Sequence, residues 1–384
     1  MPDPTQLLNT SRPGIYIEVN QDPRLSGDLV QLETEETLSA PTRCRATFIN
    51  VANGPDGRPD YTYFDLNDFD FGSDLSIFAG VTPDTLYRLF YGRINLVGAQ
   101  YPDKRPPEIV IEAEDAFQEL RMKDRTRTFE DVSDEDIIQQ IASEYGLSAE
   151  ISLDSPVHRR VKQLNQSDFS FLLDRVRAAG GAMWMEPNKL IVKKDIDALA
   201  NPEELEYGAA LKQFVVQGDL RNQCTSVGVA GWDIRSKTPI RHSATDAVLD
   251  IENTGKTGGR AFEEAFGQRL QALVHDVPDS NEEAGYLAET YYREKAEQFV
   301  TGVGIAEPLP ALHVGRTVDI RGVGKLFEGT YVVTKVRHCF DTTDGFRTEF
   351  NVRRAWIGEI REIIKVNNHA GKPKRKKRKS AARK

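Results

Sequence analysis

The stretch from Leu312 to Trp356 constrains the fold more than any other. Within it Val332, Thr334, Val336, His338 and Phe340 alternate with their neighbours, and after a turn through Asp341 to Gly345 the residues Phe346, Thr348, Phe350 and Val352 do the same. Successive side chains on a strand leave opposite faces, so this period of two predicts half-buried antiparallel strands with each set of residues on one face. Asp344-Gly345 offers the positive φ that a tight turn needs. A short meander ending in a hairpin is therefore expected.

The pattern occurs twice. Gly72-Ser-Asp-Leu-Ser-Ile77 matches Gly315-Arg-Thr-Val-Asp-Ile320, Leu89-Phe-Tyr-Gly92-Arg-Ile94 matches Leu326-Phe-Glu-Gly329-Thr-Tyr331, and Pro107 to Ala113 parallels the strand after Gly345. The expectation is an α+β chain with two similar small antiparallel β-barrels. Gly72 and Gly315 open the repeated unit, and Gly92 and Gly329 fall at bulge or corner positions where a Cβ is unwelcome.

Between the repeats the period changes. Ser133 with Asp136 resembles a capping box ahead of an apolar stripe through Ile137, Ile138, Ile141, Ala142 and Tyr145, and Gly146 fits the helix stop. A second helix opens at Ser167, faces Phe169, Leu172, Leu173 and Val176 inward and ends at Gly180-Gly181; Ala182 to Val192 reads as a hairpin about Pro187-Asn188. Further on, strands at Gln213 to Gln217 and Ser226 to Trp232 precede a helical section with Ser280 and Glu283 at its cap. Those two strands are expected to pair with the meander after the insert, which makes the second barrel discontinuous. The division that follows is an N-terminal barrel over 1–116, an α/β segment over 117–200, a second barrel over 201–360 with a helical insert at about 244–300, and a basic tail over 361–384.

The chain has 384 residues, enough for two or three domains with cores of their own. It holds no apolar run of membrane-spanning length, and its first residues lack the basic and apolar regions of a secretory signal, so synthesis in the cytoplasm and no integral membrane contact are expected. Cys44, Cys224 and Cys339 are scattered, which suggests neither a disulfide framework nor a zinc site. The last 13 residues carry nine Lys or Arg and no acid, so a net charge of −9 for the whole leaves −18 on the rest. Such a body repels nucleic acid.

The basic block holds Lys372, Lys374, Arg375, Lys376, Lys377, Arg378 and Lys379. A run of like charge cannot bury itself and is expected to be disordered in isolation. Docking on an acidic surface is the favoured reading, ahead of a solvated end and of binding nucleic acid by counterion release. Thr254-Gly-Lys-Thr257 resembles the end of a phosphate loop, but Asp250 stands where the first glycine belongs, so a glycine-rich surface loop is expected. The six histidines show no helical metal spacing, and His338 reads as a hydrogen-bonded core residue. No catalytic motif or cofactor site stands out, and no small-molecule substrate is implied.

Val161-Lys-Gln-Leu-Asn-Gln-Ser-Asp-Phe-Ser-Phe-Leu-Leu173, then Gly180-Gly-Ala-Met-Trp184, resembles the segment of phage tail hub proteins in which a short strand leads into a helix opening with Ser-Asp-Phe. Gly315 to Arg354, with Phe-x-Gly-x-Tyr and Thr-Glu-Phe, is similar to the closing part of the same hubs, and Leu89 to Leu120 followed by Ile137 to Leu147 keeps the family order. The resemblance is to the phage late control D group, which includes contractile-tail baseplate hubs and the hub halves of type VI and extracellular injection spikes. It implies a non-enzymatic homotrimer beneath a tail tube ring, with a separate spike protein below and a tape-measure end or cargo in the lumen, assembled into a phage tail or injection particle. An alternative from another class is a nucleic-acid-associated regulator acting through the basic tail. A third, a wall-cutting enzyme, predicts hydrolysis by the isolated chain.

Overall fold

The computed structural model describes residues 14–17, 23–53, 59–79, 87–194, 202–233, 236–249, 255–274, 278 and 280–358. The first half comprises β1 (Gly14–Ile17), α1 (Pro23–Asp28), β2 (Leu29–Thr37), β3 (Arg43–Ile49), β4 (Ala52–Asn53), β5 (Pro59–Asp60), β6 (Asp74–Ala79), β7 (Tyr87–Gln100) and β8 (Glu108–Glu114). Strands β1-β6-β7-β8-β3-β2 lie side by side in that order, each antiparallel to its neighbours. Alternate residues fill one core: Leu32, Phe48, Ile77, Ile94 and Ile111 pack with Tyr63 and Phe69 from the loop after β5. The alternation of apolar and polar residues gives these strands one dry face, and burial of that face holds them together.

The middle segment follows the helix signals. It contains α2 (Phe117–Arg121), β9 (Asp124–Val132), α3 (Asp134–Glu144), β10 (Ser148–Ser152), β11 (His158–Ser167), α4 (Asp168–Ala178), β12 (Ala182–Glu186) and β13 (Lys189–Lys193). Ser133 Oγ accepts the Asp136 N–H at 3.2 Å while Asp136 Oδ2 accepts the Ser133 N–H at 3.0 Å, so both free donors are satisfied as the box predicts. Gly146, Gly180 and Asn188 take positive φ at the two helix ends and the hairpin turn. Ile137, Ile141, Phe169, Leu172 and Val176 share a core with Met183 and Val192. The other face of the hairpin, through Trp184 and Ile191, packs into the second half.

The second half comprises β14 (Glu203–Glu206), β15 (Leu211–Gly218), β16 (Ser226–Asp233), β17 (Thr238–Ala244), β18 (Lys256–Thr257), α5 (Gly258–Phe266), β19 (Leu270–Leu273), α6 (Asn281–Glu297), β20 (Val300–Ala306), β21 (Thr317–Arg321), β22 (Gly329–Asp341), β23 (Gly345–Arg354) and β24 (Trp356–Ile357). As expected, β15 joins the closing meander, through β20 and then β23. Strand β16 does not. It pairs with β17 and β19 in a separate sheet, where Val227, Val229 and Ile240 pack under Ala284, Ala288 and Tyr292 of α6. A hairpin partner only a few residues away costs little loop entropy, and this local pairing wins over the distant one. Nor is the Gly255-Lys256-Thr257 stretch a free loop: β18 pairs with β24, and Thr257 Oγ1 caps α5 by accepting the Arg260 N–H at 3.2 Å. Thr254 lies outside the described residues.

The repeat is visible as topology. In the first half the order is β6-β7-β8-β3-β2; in the second it is β21-β22-β23-β20-β15. Gly72 donates to Ile94 O at 2.8 Å and Ile94 donates back to Ser73 O at 2.9 Å; Gly315 and Val333 make the same exchange at 3.0 Å, with Val333 donating to Arg316 O at 2.8 Å. Gly72 and Gly315 both have positive φ. Ile94 therefore corresponds to Val333, and the register moves the other glycines by two residues: Gly92 stands opposite Leu75 where Tyr331 stands opposite Val318, and Gly329 corresponds to Phe90. Gly92 is nonetheless a place where a Cβ is unwelcome, since one built there would lie 2.1 Å from Glu114 O.

Two further differences from the expectation concern β22. Its register against β23 slips between Val333 and Lys335, a bulge at Thr334, so Tyr331 and Val333 face the core before it and Val336, His338 and Phe340 after it, rather than one unbroken set. On its other side β22 pairs with β2, joining the two halves in one 12-stranded sheet. Among the described residues that sheet does not close on itself: it runs from β1 at one end to β15 at the other. No described helix is long and apolar enough to cross a membrane.

Candidate interaction site at the joint between the halves

The joint is built from β2 and the later part of β22, paired from Gln31 opposite Asp341 to Thr37 opposite Lys335. Its outer face carries alternating opposite charges. Arg337 bridges Glu33 at 2.7 Å on one neighbouring strand and Glu349 at 2.9 Å on the other, and Lys335 meets Glu35 at 2.8 Å. Cross-strand pairs of opposite sign help fix the register, since a slip of one residue would turn Lys335 and Arg337 onto the apolar face and part them from Glu33, Glu35 and Glu349. The inner face is apolar: Phe340, reaching across from the C-terminal strand, is a member of the first half's core.

At the edge of the joint Glu36 reaches the turn before β21. Its Oε1 is 2.8 Å from His313 Nδ1 and its Oε2 accepts the Val314 N–H at 3.1 Å. Burial disfavours the charged form of Glu36, yet His313 and the Val314 N–H outweigh it and hold the carboxyl below its ordinary range. Burial likewise opposes charge on His313, and Glu36 overcomes it, raising the imidazole. His338 is the hydrogen-bonded core histidine that its strand position suggests, with Nδ1 3.2 Å from Thr348 Oγ1 and Nε2 3.3 Å from Leu312 O. Since a carbonyl can only accept, Nε2 carries the proton and Nδ1 accepts from the threonine hydroxyl. Burial first, and then the neighbouring His313, push His338 down to about 4.

Beside Glu36 opens a cavity of about 880 Å³, walled by Arg88 to Tyr91 of β7, by Trp184 to Asn188 of the middle hairpin and by His313 to Arg316. Three of its carboxylates are engaged, Glu36 as described above. Asp115 is raised to about 7 by burial, but it accepts the N–H groups of Thr42 at 2.8 Å and Phe117 at 3.0 Å and so ties β3 to α2. Glu150 is lowered to about 2 by hydrogen bonds and charge from Lys189 and Lys193. The thiols of Cys44, Cys224 and Cys339 are buried and pushed up, away from the nucleophilic form. Among the described residues no group of three or more His, Cys, Asp or Glu is placed to hold a metal ion. What this arrangement does chemically is fix three segments around one cleft.

Lys372, Lys374, Arg375, Lys376, Lys377, Arg378 and Lys379 lie outside the described residues. The joint residues Glu33, Glu35, Glu36 and Arg337 were not singled out from the sequence. Part of the signal is present: Leu32 to Thr37 of β2 reads Leu-Glu-Thr-Glu-Glu-Thr, an acidic run suited to basic neighbours, and its two partners carry Arg43-Cys-Arg45 and Lys335-Val-Arg337.

The family model described as the Alg8 N-terminal domain matches residues 38–341. The fold is similar to that of the 43 kDa tail protein of prophage MuSo2 from Shewanella oneidensis, with 11% identity, a TM-score of 0.65, and coverage of 89% of this chain and 97% of that one. A tail protein from Neisseria meningitidis MC58 gives 12% identity and a TM-score of 0.62 over 86% of this chain and 94% of that one. The E. coli c3393 protein, a component of the type VI secretion system, gives 10% identity and a TM-score of 0.54 over 90% and 75%. No curated protein matches the sequence. At these identities the structural likeness shows a shared α+β fold, mostly antiparallel sheet with few helices. The family model spans most of the length, and the chain belongs to the Alg8 N-terminal domain family.

Proposed function

We propose that this chain is a structural hub of a phage tail or related contractile injection apparatus, of the late control D kind, and that it works as a homotrimer between a six-fold tube and a three-fold spike. The observation that carries the reading is the repeated five-strand unit, whose two copies share strand order and the glycine exchange at Gly72 and Gly315. The fold held in common with tail proteins supports it. A three-fold object can meet a six-fold ring only if each copy offers two near-equivalent surfaces, and a duplicated unit supplies them.

In this reading each five-strand unit completes a small barrel, within domains at 1–116 and 201–360 separated by the segment at 117–200. One side binds the tail tube ring, the other a separate spike protein, and the lumen faces a tape-measure end or cargo. The role is assembly rather than catalysis and calls for no cofactor. The basic block from Lys372 to Lys379 docks on an acidic surface of a partner or of the body. Mass measurement of the purified chain, alone and with its spike, tests this. Three copies per complex are expected, and a stable complex holding one or two copies would refute it.

A further inference from the structure

The repeat extends to the bulges, and this allows the joint between the halves to be transposed. Strand β7 slips against β8 between Ile94 and Leu96 as β22 slips against β23 between Val333 and Lys335. Strand β15 slips against β20 between Leu211 and Gln213 as β2 slips against β3 between Leu29 and Gln31. Leu96 to Tyr101 therefore occupy the positions of Lys335 to Phe340, and Gln213 to Gly218 those of Gln31 to Glu36. Within the chain, the second member of each of these pairs meets the other: Gln31 to Glu36 pair with Phe340, Lys335 and their neighbours. The first members do not. Among the described residues, β15 ends the sheet, and β7 beyond Ile94 is paired on its β8 side alone.

Resting on the trimer reading, we infer that the edge of β15 in one copy pairs antiparallel with Leu96 to Gln100 of β7, and with Tyr101 just after it, in the next copy, repeating between chains the joint that β2 and β22 make within one. Transposed residue by residue, Phe214 stands opposite Tyr101, Val215 opposite Gln100 and Val216 opposite Ala99, as Leu32 stands opposite Phe340, Glu33 opposite Cys339 and Thr34 opposite His338. The Leu38 N–H, which donates to Thr334 O at 3.0 Å, has its counterpart in a Leu220 N–H donating to Asn95 O of the neighbour.

Two observations favour this occupant. Natural proteins protect open strand edges with charge. Yet Asn95-Leu-Val-Gly-Ala-Gln-Tyr101 and Gln213-Phe-Val-Val-Gln-Gly218 carry no charged residue, in a chain that is 28% charged. The inner-face residue of the existing joint, Phe340, is 5% exposed, whereas its counterpart Tyr101 is 63% exposed; Val215 on the facing edge is 60% exposed. Seating Tyr101 against Phe214 of a second copy would bury both, as Phe340 is buried against the first half. A charge-free edge on each side also explains why the inter-chain joint needs no counterpart of the Arg337 pairs: Gly98 stands where Arg337 does.

The test is a disulfide trap in the full chain. Residues directly opposed on antiparallel strands have Cα atoms about 4.5 to 5.5 Å apart, within disulfide range. Val215→Cys combined with Gln100→Cys is expected to give covalent trimers on mild oxidation, while each single variant and the offset pair Val215→Cys with Val97→Cys give none. Val215→Lys, at an exposed position, should leave the melting temperature of the dissociated chain unchanged and weaken trimer assembly at least tenfold. A wild-type trimer whose double-cysteine variant does not cross-link overturns the joint and leaves the trimer reading standing. A chain that neither cross-links nor exceeds the monomer mass overturns both.

Discussion

Phe340→Ala probes the claim that the C-terminal strand completes the N-terminal core. Phe340 is 95% buried, opposite Leu32 on β2 and Phe346 on β23, in a cluster whose other fully buried members all lie between Leu25 and Ala113. Truncating a buried phenylalanine removes its transfer energy and leaves a cavity that β2 and β22, locked by their ladder, cannot collapse to fill. A loss of about 3 to 5 kcal/mol follows. The informative assay is native-state hydrogen exchange with mass-spectrometric readout, because it locates the loss as well as measuring it. Residues 25–113 should lose protection by the full amount, although the substitution sits more than 200 residues further along the chain. A loss under about 1 kcal/mol, or one confined to residues 300–354, would refute the shared core.

Three further outcomes are expected. Gly92→Ala places a Cβ 2.1 Å from Glu114 O and 2.6 Å from the Phe90 ring, so it should cost at least the 1 to 3 kcal/mol typical of overpacking, read by urea unfolding; a neutral result would mean that the β7–β8 approach is looser than described. His338 is held near 4 in the folded chain against about 6.5 when unfolded, so below pH 6.5 the unfolded state takes the proton first and stability falls as pH drops toward 4, by about 2 kcal/mol at pH 5. His338→Asn should flatten that part of the stability profile, although the His313 contribution, with its raised pKa, runs the other way and remains; an unchanged slope would exclude His338 as its source. Deleting Lys372 to Lys379 should leave DNA retardation in a salt series unchanged, whereas a shift lost on deletion would favour a nucleic-acid role for the tail.

What the sequence made legible were features whose signal is local. The helix at Asp134–Glu144 is announced by Ser133 and Asp136 and ended by Gly146, all within one stretch, and α4 with its following hairpin is equally self-contained. The repeat was legible as a pattern but not as a register. Bulges at Asn95 and Thr334 each add a residue without changing composition, and alternation read straight through Thr334 assigns Val332 to the wrong side. The two-residue shift of Gly92 against Gly329 has another origin: the sequence pattern matches glycine to glycine, while the ladder matches hydrogen-bonded partners. The alternation in β16 specifies a strand but not which partner it takes, so its place beside β17 and β19 is not legible in the sequence. The joint itself depends on Glu33 meeting Arg337 across some 300 residues of chain, a pairing that only the folded sheet brings together.

The proposed role requires two like sheet units per chain arranged about a three-fold axis. A three-dimensional reconstruction of the assembled particle at the level just below the tube tests this most directly. It should show three copies of the chain presenting six alternating units to the tube, with Gly72 and Gly315 at matching radius and height. Any other copy number, or the two units at unlike distances from the axis, would contradict it.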